Sequence, residues 1–207
     1  DEAEEKEKLG WKSNIKSNKL DLNKHLEIKF SQPMVQLNTD SALLVIGTDS
    51  IWNPEFNFID SIRMKIRFPF DLNEDTKYSI YFPDSSFTSW NNIHTDAIQL
   101  KFNTLKLSDY GILTFNLHPK KIQNYILQVL DEKEILVREL YFSNDTSITF
   151  NYIIPANYLF KIIFDSDNNK RWDPGNYSLK IQPEKVVYFP KEIKVRANWE
   201  IEENWIW

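Results

Sequence analysis

The chain has 207 residues and a formal net charge of −5, and 42% of its residues are hydrophobic, which is enough to bury two cores of ordinary domain size. Asp and Glu number 30 against 25 Lys and Arg, and the basic residues are spread singly, so a nucleic-acid partner is excluded. Cysteine is absent, which excludes disulfides and thiolate metal sites.

The first half of the chain alternates apolar and polar residues with the period of β-strands. Residues 1–9 mix acids and lysines without a core face and predict a solvated linker. Strands are then predicted at LEIKF (residues 26–30), SIRMKIRF (61–68) and KYSIYF (77–82), because every second side chain is apolar. Clusters of Asn, Asp, Pro and Ser between them predict turns, with WNPEFN (52–57) and WNNIHTD (90–96) among them.

The second half continues the same pattern without a convincing helix. Strands are predicted at residues 110–117, 124–130, 135–140, 147–153, 158–164, 177–181 and 184–189. Strands at near-regular spacing predict an all-β chain of two tandem antiparallel β-sandwich (Ig-like) domains. The polar turn TLKLSDY (104–110) places their boundary near Leu107, which gives domains at residues 10–106 and 107–207.

No pattern in the sequence predicts catalysis. His25, His94 and His118 lie far apart, and neither a G-x-S-x-G, an H-E-x-x-H nor a Gly-rich phosphate loop occurs. A general base needs a partner within hydrogen-bond reach, and none is readable beside these histidines. We therefore expect a protein that is not an enzyme.

Seven tryptophans offer two kinds of contact surface. Trp52 and Trp90 fall in predicted loops, where they either anchor the loop or present a platform for a glycan. In NWEIEENWIW (198–207), Trp199, Trp205 and Trp207 share odd positions with Ile201, which predicts a strand with one apolar face. That face either packs on the second domain or docks on another domain or subunit.

The stretch FDSDNNKRWDPGNY (164–177) has the spacing of a twelve-residue calcium loop. Asp165, Asp167 and Asn169 take positions one, three and five, and hard cations collect oxygen ligands at such alternate residues. The remaining predicted ligands are the carbonyl of Arg171 at position seven, Asp173 at position nine and Asn176 at position twelve. Trp172, at position eight, is expected to pin the loop to the core.

Two positions depart from the calcium pattern. Position six, usually glycine, is Lys170, and position twelve, usually a bidentate Glu, is Asn176. With three carboxylates, any calcium affinity should fall in the weak extracellular range, on the order of 10⁻⁴ to 10⁻³ M. The alternative is a polar turn held by its own side-chain hydrogen bonds, without a cation. No other cofactor is predicted.

Residues 153–205 resemble the C-terminal region of Ig-like-domain envelope proteins of Bacteroidota. The resemblance rests on the loop residues Asp165, Asp167, Asn169, Trp172 and Asp173, on Q-P-E at 182–184 and on V-R-A-N-W at 195–199. This sequence differs from the family pattern in having Ala156 and Lys170 where the pattern has glycine. The preceding half is more loosely similar to the bacterial Ig-like domain that such proteins carry upstream.

The resemblance covers nearly the whole chain and implies a location and an architecture. It implies a bacterial Ig-like domain followed by a sandwich similar to transthyretin or carboxypeptidase-regulatory domains, both at the end of a longer exported protein. Such proteins lie in the cell envelope, at the outer membrane or cell surface, and are often lipoproteins, anchored through an N-terminal cysteine outside this sequence. The implied partners are other envelope or outer-membrane proteins. The function expected is that of a scaffold or docking element, or alternatively of a glycan-binding or adhesive module.

Overall fold

A computed structural model describes residues 8–207, and the chain divides into two compact units between Lys106 and Leu107. Each unit has its own hydrophobic core. Strands dominate both, and the described residues contain a single short 3₁₀ helix, Leu107–Asp109, with no helix long and apolar enough to cross a membrane. The prediction of an all-β fold is confirmed.

The first unit contains ten strands. In chain order they are β1 Trp11–Ser13, β2 Glu27–Phe30, β3 Met34–Leu37, β4 Leu43–Ile46, β5 Asp49–Trp52, β6 Asn57–Phe58, β7 Lys65–Arg67, β8 Lys77–Phe82, β9 Phe87–Ser89 and β10 Ile98–Asn103. They form a sheet of order β1-β2-β7-β6, a sheet of order β10-β8-β4-β5, and the separate pair β3-β9. All of these strand pairs are antiparallel.

Alternation along β8 and β10 fills the first core. Tyr78, Ile80 and Phe82 of β8 are buried, as are Ile98, Leu100 and Phe102 of β10, while the residues between them are mostly more exposed. The rings of Tyr78 and Phe102 stack with centroids 4.9 Å apart. A period of two therefore directs one face of this sheet inward, as the sequence pattern predicts.

The predicted linker at residues 1–9 is only partly covered, since residues 1–7 lie outside the described part of the chain. Leu9 is buried in the first core, and its backbone N–H donates to the carbonyl of His94 at 3.1 Å. Lys8 forms an ion pair with Asp96 at 2.8 Å. The linker assignment is therefore wrong for Leu9, because this leucine buries its side chain in the first unit.

An ion triad joins β2 to β7 on the outside of the first unit. The Oε2 atom of Glu27 lies 2.6 Å from Nζ of Lys65, and its Oε1 atom lies 2.7 Å from Nη2 of Arg67. Burial alone would raise the pKa of Glu27, but the hydrogen bonds and positive charges of Lys65 and Arg67 outweigh it and hold this pKa below its ordinary value. The triad therefore favours the ionised, folded form.

Replacing Glu27→Gln is expected to lower the free energy of unfolding of the first unit by about 0.5–1 kcal/mol at neutral pH. Because the pKa is lower in the folded state, the contribution is present above the unfolded value of about 4.3 and is lost as pH falls through the folded pKa. Denaturant unfolding at neutral pH and near pH 3 checks this, with the exposed Glu55→Gln as control. An equal deficit at both pH values contradicts the assignment.

The second unit contains eight strands. They are β11 Gly111–His118, β12 Tyr125–Asp131, β13 Leu136–Phe142, β14 Thr146–Ile153, β15 Ala156–Phe164, β16 Val186–Tyr188, β17 Ile193–Val195 and β18 Glu200–Ile206. One sheet has the order β14-β11-β18, and the other has the order β13-β12-β15-β16, with β17 also pairing with β15. Phe115 of β11 packs against Phe160 of β15 with ring centroids 4.7 Å apart, which joins the two sheets across the second core.

The pairing of β18 departs from the antiparallel expectation. Strand β18 pairs in parallel with β11, with Ile201 beside Leu113 and Trp205 beside Leu117. A parallel pair needs a long crossover, and here the crossover spans everything from β12 to β17. The sheets of the second unit are therefore antiparallel except at this pair.

Two predicted strands are wrong, one in its extent and the other entirely. Residues 61–64 form a turn, and β7 begins only at Lys65, because the Asp60 carboxylate accepts the backbone N–H groups of Met64 and Lys65. Residues 177–181 form a tight turn in which the N–H of Ile181 donates to the carbonyl of Asn176 at 2.9 Å. Both segments alternate apolar and polar side chains, yet neither is paired in a sheet.

Candidate functional site

The predicted calcium loop follows β15 and turns as a glycine-containing loop would. Asp165 is only 3% exposed, and its backbone N–H donates to the carbonyl of Asn124 at 3.1 Å. Asn168 and Lys170 both have left-handed backbones, with φ of 61° and 62°. Lys170 thus adopts the conformation usually given to glycine, at a cost of about 1–2 kcal/mol.

Side-chain hydrogen bonds within the loop hold that conformation. The two carboxylate oxygens of Asp165 accept the backbone N–H groups of Asn169 and Lys170, each at 3.1 Å. Asp167 accepts the same Asn169 N–H at 3.1 Å. These are the bonds of an Asx-rich turn, and each carboxylate oxygen keeps a second lone pair for a cation.

Glu184 completes an acidic cluster that the sequence pattern does not assign. Carboxylate oxygens of Asp165, Asp167 and Glu184 all lie within 4.8 Å of one another. Calcium binds oxygen at about 2.3–2.6 Å, so two ligands on one ion lie at most about 5 Å apart. The donor set and its spacing therefore fit a calcium ion.

Backbone pairing brings Glu184 to the loop from further along the chain. Its N–H donates to the carbonyl of Asp173 at 3.0 Å, and its Oε1 accepts the N–H of Ser166 at 2.6 Å. Gly175 between them has φ of 77°, and a Cβ there would lie 2.6 Å from the carbonyl oxygen of Ile181. This tight return makes Glu184 a neighbour of Asp165.

Asn176, the predicted ligand at position twelve, lies at the start of a turn. Its side-chain Oδ1 accepts the N–H of Leu179 at 3.1 Å, and its backbone pairs with Ile181, so it closes the turn over residues 176–181. A ligand role for Asn176 stays a prediction. Glu184 brings a further carboxylate to the loop. The Q-P-E motif is the sequence signal for this residue.

The other predicted ligands lie in the loop itself. The Nδ2 group of Asn169 donates to Asp167 at 2.9 Å and to Oδ2 of Asp173 at 2.5 Å, which links Asp173 to the acidic cluster. The N–H of Arg171 donates to Oδ1 of Asn169 at 2.9 Å. A carbonyl ligand from Arg171 stays a prediction.

Trp172 pins the loop differently from the expectation. Its side chain is about half exposed, and its indole N–H donates to the carbonyl of Glu184 at 3.1 Å. Lys170 makes the contact with the sheet, since its Nζ lies 5.5 Å from the ring centroid of Tyr141 on β13.

The pKa of Tyr141 is raised above its ordinary value. The hydrogen bond to Glu139 is the largest cause, and burial adds to it.

The C-terminal tryptophans have different surroundings. Trp205 is 4% exposed and packs in the second core, with its ring 5.1 Å from Phe189. Trp207 is partly buried against Tyr125, at 5.3 Å between ring centroids. Trp199 precedes β18 and is 50% exposed. The docking interpretation is therefore wrong for Trp205, which no partner can reach in the folded unit.

The two tryptophans predicted as glycan platforms are both exposed. Trp52 is 64% exposed and is the last residue of β5 rather than part of a loop. Trp90 is 67% exposed and follows β9, where its N–H donates to the carbonyl of Pro33 at 3.1 Å. Both rings are accessible to a ligand, and glycan contact at either one stays a prediction.

Each histidine contacts residues of its own unit. Nδ1 of His94 lies 3.0 Å from Oγ1 of Thr88, and Nδ1 of His118 lies 3.2 Å from Oδ2 of the exposed Asp145. The carbonyl of His25 accepts the side-chain amide of Asn14 at 2.8 Å. These contacts join the histidines to neighbouring turns and strands.

No family model matches the chain, and no curated protein sequence matches it. Among solved structures, it is similar to native alpha-2-macroglobulin from Escherichia coli, with 11% identity over 86% of this chain and 70% of that chain and a TM-score of 0.38. It is also similar to a segment of two fibronectin type-III domains from chicken tenascin, with 11% identity over 89% and 97% of the two chains and a TM-score of 0.26.

A third similarity is to BcpA, the major pilin subunit of Bacillus cereus, with 12% identity over 96% of this chain and 69% of that chain and a TM-score of 0.31. TM-scores this low do not indicate a shared function. The class of the chain rests on its own strands and cores, which define two all-β units, each with its own hydrophobic core.

Proposed function

We propose that the chain is a non-enzymatic module pair that serves as a scaffold or docking element in an assembly of envelope or outer-membrane proteins. The resemblance of residues 153–205 to envelope proteins of Bacteroidota supports the location. One surface feature supports the docking role, which is the exposed apolar edge formed by β13 and the residue before it.

This edge stands at the end of its sheet and carries exposed apolar side chains. Strand β13 stands at the end of its sheet and pairs with β12 on one side, with no second strand beside it among residues 8–207. Ile135, Leu136, Val137 and Tyr141 are all exposed along it. Natural edge strands usually carry charges or prolines that prevent pairing, and here Arg138 and Glu139 carry charge in the middle of β13. The exposed apolar residues on either side of them support the proposal that another chain covers this edge.

The occupant we propose is an extended strand of a partner envelope protein, added beside β13. Backbone hydrogen bonds would supply much of the affinity, and the exposed apolar side chains would select the partner. Arg138 and Glu139 stand in the middle of the edge, and both make contacts within the unit. Pairing would therefore be directed mainly by the apolar residues at either end.

Capture of the partner from solubilised envelopes tests this function. The exported full-length protein should retain a stoichiometric envelope partner, and the double variant Ile135→Lys, Val137→Lys should lose it while keeping the wild-type melting temperature. Ile122→Lys is the matched control, because Ile122 is exposed in the same unit but outside β13. Equal capture by the wild type and the double variant contradicts docking at this edge.

The alternative function is a glycan-binding or adhesive surface module that uses Trp52 or Trp90. The exposure of both rings favours it, because a sugar can stack on an accessible aromatic face. A glycan array with Trp52→Ala and Trp90→Ala as comparisons distinguishes this role from docking. An array on which the wild type gives no signal contradicts the glycan-binding function.

We further propose that the acidic cluster of Asp165, Asp167 and Glu184 binds calcium as a structural clasp. The left-handed backbone of Lys170 and the spacing of the three carboxylates support binding. Bound calcium would offset the mutual repulsion of the carboxylates and fix the loop at the end of β15. Its role would be to stabilise the second unit rather than to take part in a reaction.

Calcium is expected to raise the melting temperature of the second unit. A ligand at about 100 times its dissociation constant stabilises a folded state by about 2.7 kcal/mol, which corresponds to several degrees for a domain of this size. The Glu184→Gln variant should lose most of this shift, and Asn176→Ala should keep it, because the side-chain oxygen of Asn176 accepts the N–H of Leu179. Thermal unfolding in calcium and in chelator measures both, and no shift at millimolar calcium contradicts the proposal.

A further inference from the structure

A cavity of about 410 Å³ lies in the second unit, where β11 begins and β14 ends. All of its lining residues belong to this unit. Three aromatic rings and several polar side chains contribute to the lining, and those used below are Tyr110, Tyr152, Trp199, Asn151, Asn198 and Glu200. Its volume falls within the range of small-molecule sites in proteins, roughly 300–1,000 Å³.

The backbone that carries Trp199 is held by hydrogen bonds to the start of β11. The N–H of Asn198 donates to the carbonyl of Tyr110, and the carbonyl of Trp199 accepts the N–H of Ile112, each at 2.8 Å. The guanidinium of Arg196 lies 4.6 Å from the indole centroid and covers part of the ring. The side chain is nevertheless half exposed, and Trp199 is one of the residues that line the cavity.

Tyr152 contributes a second fixed ring. Its φ is 57°, a left-handed conformation that a bulky residue rarely adopts and that often occurs at binding sites. The carbonyl of Tyr152 accepts a hydrogen bond from Arg138 at 2.9 Å, and its ring meets the ring of Tyr110 edge to face at 5.7 Å. The backbone and the ring are therefore both held, with the tyrosine side chain only partly covered.

The polar lining restricts the chemistry of the ligand. Glu200 is the only charged side chain among the residues that line the cavity, and its carboxylate disfavours an anion. Asn151 and Asn198 offer amide groups that both donate and accept, and Glu200 offers a carboxylate that accepts. The Arg196 guanidinium at Trp199 disfavours a cationic ligand on the same ring. A neutral ligand with hydroxyl groups and one apolar face matches these groups.

We propose that this cavity binds a neutral saccharide unit, with its C–H face on Trp199 and its hydroxyl groups on Asn151, Asn198 and Glu200. The larger depression of about 660 Å³ in the first unit is less suitable, because the two aromatic residues in its lining, Tyr78 and Phe102, are buried. This site is distinct from the edge at β13 and does not depend on the docking role. It is also distinct from Trp52 and Trp90.

The test is a titration of the whole chain with glucose, galactose, mannose, xylose, N-acetylglucosamine and short neutral oligomers of each, followed by NMR. We expect saturable shifts of the Trp199 indole signal. Trp199→Ala should weaken binding by about tenfold or more, Trp199→Phe should restore most of it, and Asn151→Ala should weaken it less, since a lost stacking surface costs more than one hydrogen bond. Ile122→Ala should bind as the wild type does, because Ile122 is exposed in the same unit and does not line the cavity.

Three outcomes would overturn the proposal. The first is that no saccharide of the set binds at concentrations up to about 10 mM, which lies beyond ordinary weak affinity. The second is that Trp90→Ala or Trp52→Ala removes binding while Trp199→Ala keeps it, which would place the sugar in the first unit. The third is that tetramethylammonium shifts the Trp199 signal and the saccharides do not, which would identify a cation site.

Discussion

Replacing Gly111→Ala is expected to destabilise the second unit by about 1–3 kcal/mol, the usual cost of forcing an extra methyl group into close packing. A Cβ atom at Gly111 would lie 2.4 Å from Cγ1 of Val195 and 2.8 Å from the carbonyl oxygen of Arg196. The second contact is with backbone, which cannot turn away as a side chain can. For a unit of about 100 residues, each kcal/mol lowers the melting temperature by roughly 4–8 °C.

The same substitution should also move Trp199, because the turn over residues 195–199 lies directly on Gly111. Hydrogen bonds on both sides of Gly111 hold this turn, from Asn198 to Tyr110 and from Ile112 to Trp199. We therefore expect a changed indole signal for Trp199 in NMR spectra of the folded variant. A variant with an unchanged Trp199 signal would contradict the close packing described for this turn.

Gly10→Ala is the matched control for this prediction. A Cβ atom at Gly10 would meet Oγ of Ser31 at 3.5 Å, which is an ordinary contact distance. Its effect on stability should stay within about 0.5 kcal/mol, as for most surface substitutions. If both alanine variants have the melting temperature of the wild type, the turn packs on Gly111 more loosely than the distances indicate.

Much of the strand pattern could be predicted because alternation reports burial directly. Strand β8 coincides with the predicted strand at residues 77–82, and β11, β12 and β14 lie within one or two residues of their predictions. Along β8, β11 and β12, one set of alternate side chains fills a core, and in β14 a register shift separates the core residues Phe150 and Ile153 by three positions. Where burial and period agree, the sequence alone is sufficient to place a strand.

The predictions fail where contacts between residues distant in sequence override the local alternation of apolar and polar side chains. Residues 177–181 alternate like a strand, but Gly175 and the pairing of Asn176 with Ile181 close them into a turn. Strand β18 was expected from its period, yet the period carries no information about its parallel pairing with β11. Direction and partner depend on contacts distant in sequence, which a single segment does not encode.

The acidic cluster shows the same limit at the candidate metal loop. Counting twelve residues from Asp165 assigned the last ligand to Asn176, because a calcium loop of this kind is contiguous. The structure instead folds the chain back through Gly175, so that Glu184 lies beside Asp165 and Asp167. Glu184 is the only acidic residue between Asp173 and Glu192, so the Q-P-E motif is the sequence signal for this third carboxylate.

Replacing Trp205→Ala is expected to destabilise the second unit by about 3–5 kcal/mol, which is the usual cost of removing a large buried aromatic side chain. Trp205 packs against Phe115 and Phe189, with ring centroids 6.2 and 5.1 Å away. Truncation would leave a cavity between the two sheets that these neighbours can only partly fill. Denaturant unfolding should show a lower midpoint with little change in slope.

Trp199→Ala separates the core role of these tryptophans from a docking role. Trp199 belongs to the same terminal segment but is half exposed, so its loss should cost less than about 1 kcal/mol of stability. The docking hypothesis for the C-terminal strand predicts the opposite order, in which Trp205→Ala leaves stability unchanged and abolishes partner capture. Trp205 is nearly inaccessible, so its substitution should affect partner capture only by unfolding the second unit. At a temperature where the Trp205→Ala variant is still folded, it should capture as much partner as the wild type does.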